Sequence, residues 1–134
     1  MSRVQLALNV ADLDEAVAFY TKLFGVEPAK LRPGYANFAV AQPPLKLVLI
    51  EGGGVPGMLN HLGVEVETTA DVADAQRRLA AEGLATAVED EVACCYAVQD
   101  KVWVDDPNGA SWEIYTVLAD VEMKPGEQCP AACC

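Results

Sequence analysis

From Val4 to Val10 apolar and polar positions alternate with period two, setting Gln5, Ala7 and Asn9 on one face and Leu6, Leu8 and Val10 on the other. That pattern predicts a strand covered on both sides. From Asp12 the apolar set Leu13, Ala16, Val17, Tyr20, Leu23 and Phe24 follows the helical period; Asp12 and Glu15 have capping-box spacing, and Gly25 supplies a stop. A weak strand over Val26 to Leu31 is interrupted by Pro28, the Arg32-Pro33-Gly34 triplet turns, and strands follow over Tyr35 to Ala41 and Leu45 to Glu51, separated by Gln42-Pro43-Pro44. The first 51 residues therefore read βαβββ.

The glycine-rich run Gly52 to Gly57 suits no regular element and predicts a linker over 52–59. The pattern then restarts. His61 to Val66 is a strand, Thr68 or Thr69 caps a helix carrying Val72, Ala75, Leu79 and Ala80, and Gly83 ends it. Leu84 to Val88 is a weak strand, Glu89 to Gln99 an irregular acidic loop, and Lys101 to Asp105 and Ser111 to Val117 are strands around a Pro107-Asn108-Gly109 turn. Overlaying the halves aligns Gln5 with His61 and Gly25 with Gly83, an internal repeat. The expected fold class is α+β: two βαβββ modules forming a cup-shaped mixed sheet. It is one domain over 1–118 (module 1 at 1–51, module 2 at 60–118), followed by a flexible tail at 119–134 that carries Cys129, Cys133 and Cys134.

Composition narrows the chemistry. A net charge of −11 leaves no basic patch to neutralise phosphates, which argues against nucleic acid and anionic membrane surfaces. Neither a secretory apolar segment nor a membrane-length apolar run is visible, so a cytoplasmic location is expected, where thiols stay reduced. Five cysteines then point to metal, metalloid or redox chemistry.

Cup-facing positions on the first and last strands of each module are Gln5, His61, Glu113 and the Leu47 region. Three of these can bind a metal and the fourth is apolar, which gives a three-residue ligand face with open positions. This is like the two-histidine-one-carboxylate arrangement of non-haem Fe(II) oxygenases with an amide replacing one imidazole. Geometry of this kind also admits Mn(II) or Ni(II), and a lone histidine is equally compatible with a purely structural role. Cys94-Cys95 is either a pair of small buried apolar residues or a dithiol for a soft centre such as trivalent arsenic, Cd(II), Hg(II), Cu(I) or Zn(II). The second role requires a turn, because neighbours on a strand point to opposite faces. Lys101 reads as a solvated surface residue, with an electrostatic role at the cup mouth as the alternative.

The repeat, together with RPGYANFAVAQPPLKLVLIE, LNHLGVEV, ACCYAVQDKVWV and GASWEIYTV, resembles the vicinal-oxygen-chelate superfamily of glyoxalases, bleomycin-resistance proteins and extradiol dioxygenases. Within it the chain is similar to the branch of cadmium-induced proteins and carbon-arsenic lyases, over Ser2 to Leu118. The resemblance implies an Fe(II)-dependent, dioxygen-using enzyme that cleaves trivalent organoarsenicals such as methylarsonous acid to arsenite. It implies Gln5, His61 and Glu113 as catalytic metal ligands and Cys94 and Cys95 as the arsenic-binding thiols. A non-catalytic thiol-based cadmium or arsenite binding protein is the main alternative. A glyoxalase-type isomerase or an antibiotic-resistance thiol transferase is weakened by the apolar Leu47 region, and a catechol dioxygenase leaves the cysteine pair unexplained. The cup closes either within one chain or between two in a homodimer.

Overall fold

The computed structural model describes residues 2–94 and 96–122. Its elements are β1 (Arg3–Val10), α1 (Leu13–Phe24), β2 (Lys30–Arg32), β3 (Tyr35–Val40), β4 (Leu45–Glu51), β5 (Leu59–Glu65), α2 (Thr69–Ala81), β6 (Ala87–Cys94), β7 (Ala97–Asp105) and β8 (Ser111–Asp120). The βαβββ order occurs twice, as the repeat predicts.

Both helices begin and end where the sequence signals stand. Asp12 Oδ1 accepts from Glu15 N at 3.0 Å, and Gly25 closes α1 in the left-handed region at φ 69°. Thr68 and Asp71 form a reciprocal capping box on α2. At its other end Gly83 N bonds Ala80 O and Leu84 N bonds Leu79 O, which satisfies two carbonyls that helix geometry leaves open. Among the described residues no helix is long and apolar enough to cross a membrane.

The strands make one eight-stranded sheet in the order β2-β3-β4-β1-β5-β8-β7-β6. β1 runs parallel to β4 and β5 parallel to β8, and the modules join in the middle through antiparallel β1–β5 pairing within one chain. The period-two pattern divides the sheet's faces. Leu6, Leu8 and Val10 pack with α1 against Phe38, Leu47 and Leu49, while Ala7, Val48 and Ile50 lie with Tyr35 and Tyr96 in a second cluster on the other face.

The sheet curls until its ends meet. The Tyr35 and Tyr96 rings lie 5.8 Å apart, and Lys30 Nζ reaches Asp120 Oδ1 at 2.8 Å and Tyr96 O at 3.2 Å. The concave side of this curl is the cup.

Three local expectations change. The segment over Glu89 to Gln99 is not an irregular loop: β6 extends to Cys94 and pairs with β7 from Ala97, with a bulge between Glu89 and Val92. β6 is an edge strand, so Glu89, Asp90 and Glu91 keep solvent while the backbone pairs on one side, and their charge hides the strand. Glu91 takes φ 48° at the bulge, where its amide donates to buried Asp100 Oδ1 at 2.7 Å. Secondly, β8 runs to Asp120, three residues past the strand end expected at Val117 and two into the expected tail. Thirdly, Leu47 belongs to the α1 side; the cup-facing position is its neighbour Val48, since a slip of one residue exchanges strand faces. Cys95 and tail residues 123–134 lie outside the described residues.

Candidate metal centre

Strand register explains how three distant residues meet. Gln5 on β1 pairs with Gly63 on β5, and Gly63 pairs with Glu113 on β8, so the three form one row across the sheet. His61 stands two residues before Gly63 and shares its face. Gly63 holds the row open. A Cβ there would lie 2.9 Å from both Glu113 Cγ and Glu113 O, and 3.2 Å from Gln5 Nε2.

Gln5, His61 and Glu113 are 1%, 3% and 1% exposed, so water cannot satisfy them. They satisfy one another. Gln5 Nε2 donates to Glu113 Oε1 at 2.8 Å and lies 3.3 Å from His61 Nε2, and His61 Nε2 is 3.5 Å from Glu113 Oε1. Two further side chains complete the set. Lys101 Nζ donates to Glu113 Oε2 at 2.9 Å, and the Tyr115 hydroxyl donates to Gln5 Oε1.

Lys101 is therefore fully buried and paired, contrary to the solvated-surface expectation. Alternation along β7 places it on the face of Trp103, which pairs with Glu113, but its burial becomes visible only with the β7–β8 register. Tyr115, two residues beyond Glu113, and Gly63, opposite it, are the other members that motif reading misses.

Burial pushes the Glu113 carboxyl up, but the adjacent His61 ring and the charge of Lys101 outweigh it and hold the group below the usual carboxylate range. Burial, with the charges of Glu65 and Glu113, pushes the Tyr115 phenol well above its ordinary value, so it stays a neutral donor.

The inner triangle has edges of 2.8, 3.3 and 3.5 Å. Donor atoms that share one first-row metal ion at about 2.0–2.2 Å sit roughly that far apart. In the structure Gln5 turns its Nε2 inward. A half-turn of the amide brings Oε1 inward without losing the Tyr115 hydrogen bond, since a hydroxyl accepts as readily as it donates. One imidazole nitrogen, one carboxylate oxygen and one amide oxygen then form a mixed donor face suited to a divalent ion. Among the described residues no three His, Cys, Asp or Glu side chains cluster, so the amide is what completes the trio. The apolar fourth position, Val48, leaves that side without a ligand.

A cleft of ≈ 520 Å³ opens at the His61 edge, lined by Leu59, Trp103, Asn60, Asn9 and Ser111 among others, with the Trp103 ring edge-on to His61 at 5.5 Å. Its size is that of a small-molecule site.

The predicted thiol pair is only partly placed. Cys94 ends β6 opposite Ala97, while Glu113 pairs with Trp103, about 20 Å further along β7 at 3.3 Å per residue. The curl shortens that path through space. Tyr96, at φ 70°, packs in one cluster with Ala7, the residue that pairs with His61.

Comparison with known proteins agrees with this architecture. The model of one family, described as the glyoxalase/bleomycin resistance protein/dioxygenase superfamily, matches residues 3–114. A protein of Thermomonospora curvata named trivalent organoarsenical cleaving enzyme is 60% identical, over 100% of this chain and 89% of its own length. The cadmium-induced protein CadI of Mycobacterium tuberculosis is 61% identical, over 91% of this chain and 80% of its own. Among solved structures, an extradiol ring-cleaving dioxygenase of B. fuscum superposes with a TM-score of 0.63 at 24% identity, over 90% of this chain and 34% of that one.

Proposed function

The chain belongs to the glyoxalase/bleomycin resistance protein/dioxygenase superfamily, and we propose that it is an Fe(II)-dependent enzyme that uses dioxygen to cleave the carbon-arsenic bond of trivalent organoarsenicals, releasing arsenite. The observation that carries this reading is the buried triangle of Gln5, His61 and Glu113, whose edges suit a single metal ion. The 60% identity to a protein named for organoarsenical cleavage supports the substrate class.

In this reading Gln5, His61 and Glu113 hold the ion. Lys101 engages the outer carboxylate oxygen, leaving Oε1 as the inner donor, and the Tyr115 hydroxyl bonds the outer atom of the Gln5 amide in either orientation. Fe(II), when bound, supplies the redox chemistry with dioxygen that a closed-shell ion such as Zn(II) lacks.

Cys94 and Cys95 take the arsenic. Two S–As bonds form, two As–O bonds break, and the thiol protons leave with the oxygens as two waters, with no change in oxidation state. A pair of thiolates leaves the carbon group as the third substituent on arsenic, which orients it. The end of the β6–β7 hairpin carries this load toward the trio, and the cleft beside His61 has room for a methyl or an aryl group.

The test is arsenite release by the full chain from methylarsonous acid, with Fe(II) or Zn(II), in air or under nitrogen. The reading expects arsenite only with Fe(II) and air. Tight stoichiometric retention of the arsenical with no arsenite under any condition would replace it with a thiol-based sequestration role.

A further inference from the structure

On a regular strand Asn60 and His61 would point to opposite faces and their side chains could not meet. β5 is not regular there. His61 pairs with Ala7 and Leu59 with Leu8, so the β1–β5 register shifts and Asn60 is the extra residue of a bulge. The consequence is a contact between neighbours, with His61 Nδ1 2.8 Å from Asn60 Oδ1.

The rest of the network fixes which way that contact runs. Asn60 Nδ2 donates to the Gly53 carbonyl at 3.3 Å and to Asn9 Oδ1 at 3.0 Å. A carbonyl only accepts, so turning the Asn60 amide over would set oxygen against oxygen. Asn60 therefore presents its oxygen to His61, and the proton of the neutral ring lies on Nδ1. Nε2, facing Gln5 and Glu113, carries the lone pair.

The glycine-rich linker is part of the same device. Asn9 is 5% exposed, and its backbone ties it to the linker: its main-chain N–H donates to Met58 O and its main-chain carbonyl accepts from Gly57 N. A Cβ on Gly54 would fall 2.7 Å from Asn9 Nδ2, and one on Gly53 would fall 3.0 Å from Asn9 Oδ1 and 3.2 Å from Asn60 Nδ2. The linker packs closely around both asparagines, and its Gly53 carbonyl is the acceptor that fixes which way the Asn60 amide faces.

We propose that Asn60, carried on the β5 bulge and locked by Asn9 and Gly53, is a positioning residue that sets His61 as the Nδ1–H tautomer and keeps its Nε2 lone pair turned toward Gln5 and Glu113. The use of this device rests on His61 being a metal ligand. The tautomer itself does not, because it follows from the hydrogen bonds of the metal-free chain.

His61 is the chain's one histidine, so in full-length protein labelled with nitrogen-15 histidine every imidazole signal belongs to it. Long-range proton–nitrogen correlations, taken metal-free at mildly alkaline pH, distinguish the protonated ring nitrogen from the bare one. Wild type is expected as Nδ1–H. Asn60→Ala is expected to move toward Nε2–H, and Asn60→Thr, too short to reach Nδ1, takes its place should the alanine variant not fold. Anaerobic Fe(II) titration then reads the consequence: affinity falls roughly 10–100-fold in Asn60→Ala. An Nε2–H wild type, an unmoved tautomer in Asn60→Ala, or a moved tautomer with unchanged Fe(II) affinity would overturn the proposal. A wild type that binds no Fe(II) would sink the functional reading instead, while the ring nitrogens still decide for or against Asn60.

Discussion

Lys101 Nζ and Glu113 Oε2 lie 2.9 Å apart between side chains 0% and 1% exposed, which makes them a buried ion pair beside Gln5 and His61 rather than a surface contact. Removing one member of such a pair strands the other charge and costs about 3–5 kcal/mol. Lys101→Met is expected to lose stability on that scale in urea melts of the metal-free chain. A divalent ion bound at the trio would compensate Glu113, so added Fe(II) should raise the melting temperature of Lys101→Met more than that of wild type. Equal shifts would separate Glu113 from the metal site.

The same carboxylate predicts a pH dependence. Its folded-state pKa is lowered, so its contribution to stability is complete above the ordinary value of 4.5 and is lost as pH falls through the folded value. Between about pH 4.5 and the acid limit, wild-type stability should fall more steeply than that of Glu113→Gln, as measured by urea melts at successive pH. Parallel curves would mean that Glu113 gains nothing from His61 and Lys101.

Gly63 is expected to tolerate no side chain. In Gly63→Ala the new methyl meets the Glu113 backbone carbonyl at 2.9 Å, which a rotamer change cannot relieve. Overpacking of this kind costs about 1–3 kcal/mol. Because the strain falls on the row of proposed metal ligands, metal affinity should drop alongside stability, and a variant with wild-type melting and wild-type affinity would refute the close approach.

Gln99 makes a prediction of the opposite sign. Among the described residues its buried Oε1 has no hydrogen-bond partner. Replacing an unsatisfied buried acceptor by an apolar group of similar size removes a desolvation penalty, so Gln99→Leu should stabilise the chain by about 1 kcal/mol in denaturant melts. Destabilisation would mean that the amide is satisfied.

Much of the fold was legible because its signals are local. Asp12, Gly25, Thr68 and Gly83 mark helix ends through side-chain and backbone chemistry within a few residues, and the Pro43 and Pro107 turns separate the strands. Gln5, His61 and Glu113 were legible for another reason: the repeat aligns the first two, and a carboxylate flanked by Trp112 and Ile114 on a covered strand needs partners. What stayed hidden depends on register. Val48 and Leu47 differ by one residue and by the whole face of the sheet, Lys101 looks solvated until β8 is laid beside it, and the acidic β6 looks like a loop until it is known to be an edge. The Asn60 bulge belongs to the same class, since nothing in LNHLG announces an extra residue.

The proposed function requires Gln5, His61 and Glu113 to form one metal centre, and the most direct measurement is the number of Fe(II) ions bound per full-length chain under anaerobic conditions. The comparison is wild type against Gln5→Ala, His61→Ala and Glu113→Ala, each checked for folding by circular dichroism. One tightly bound ion is expected in wild type, with its loss or severe weakening in all three variants. Fe(II) binding that survives all three substitutions in folded protein would contradict it and return the trio to a structural role.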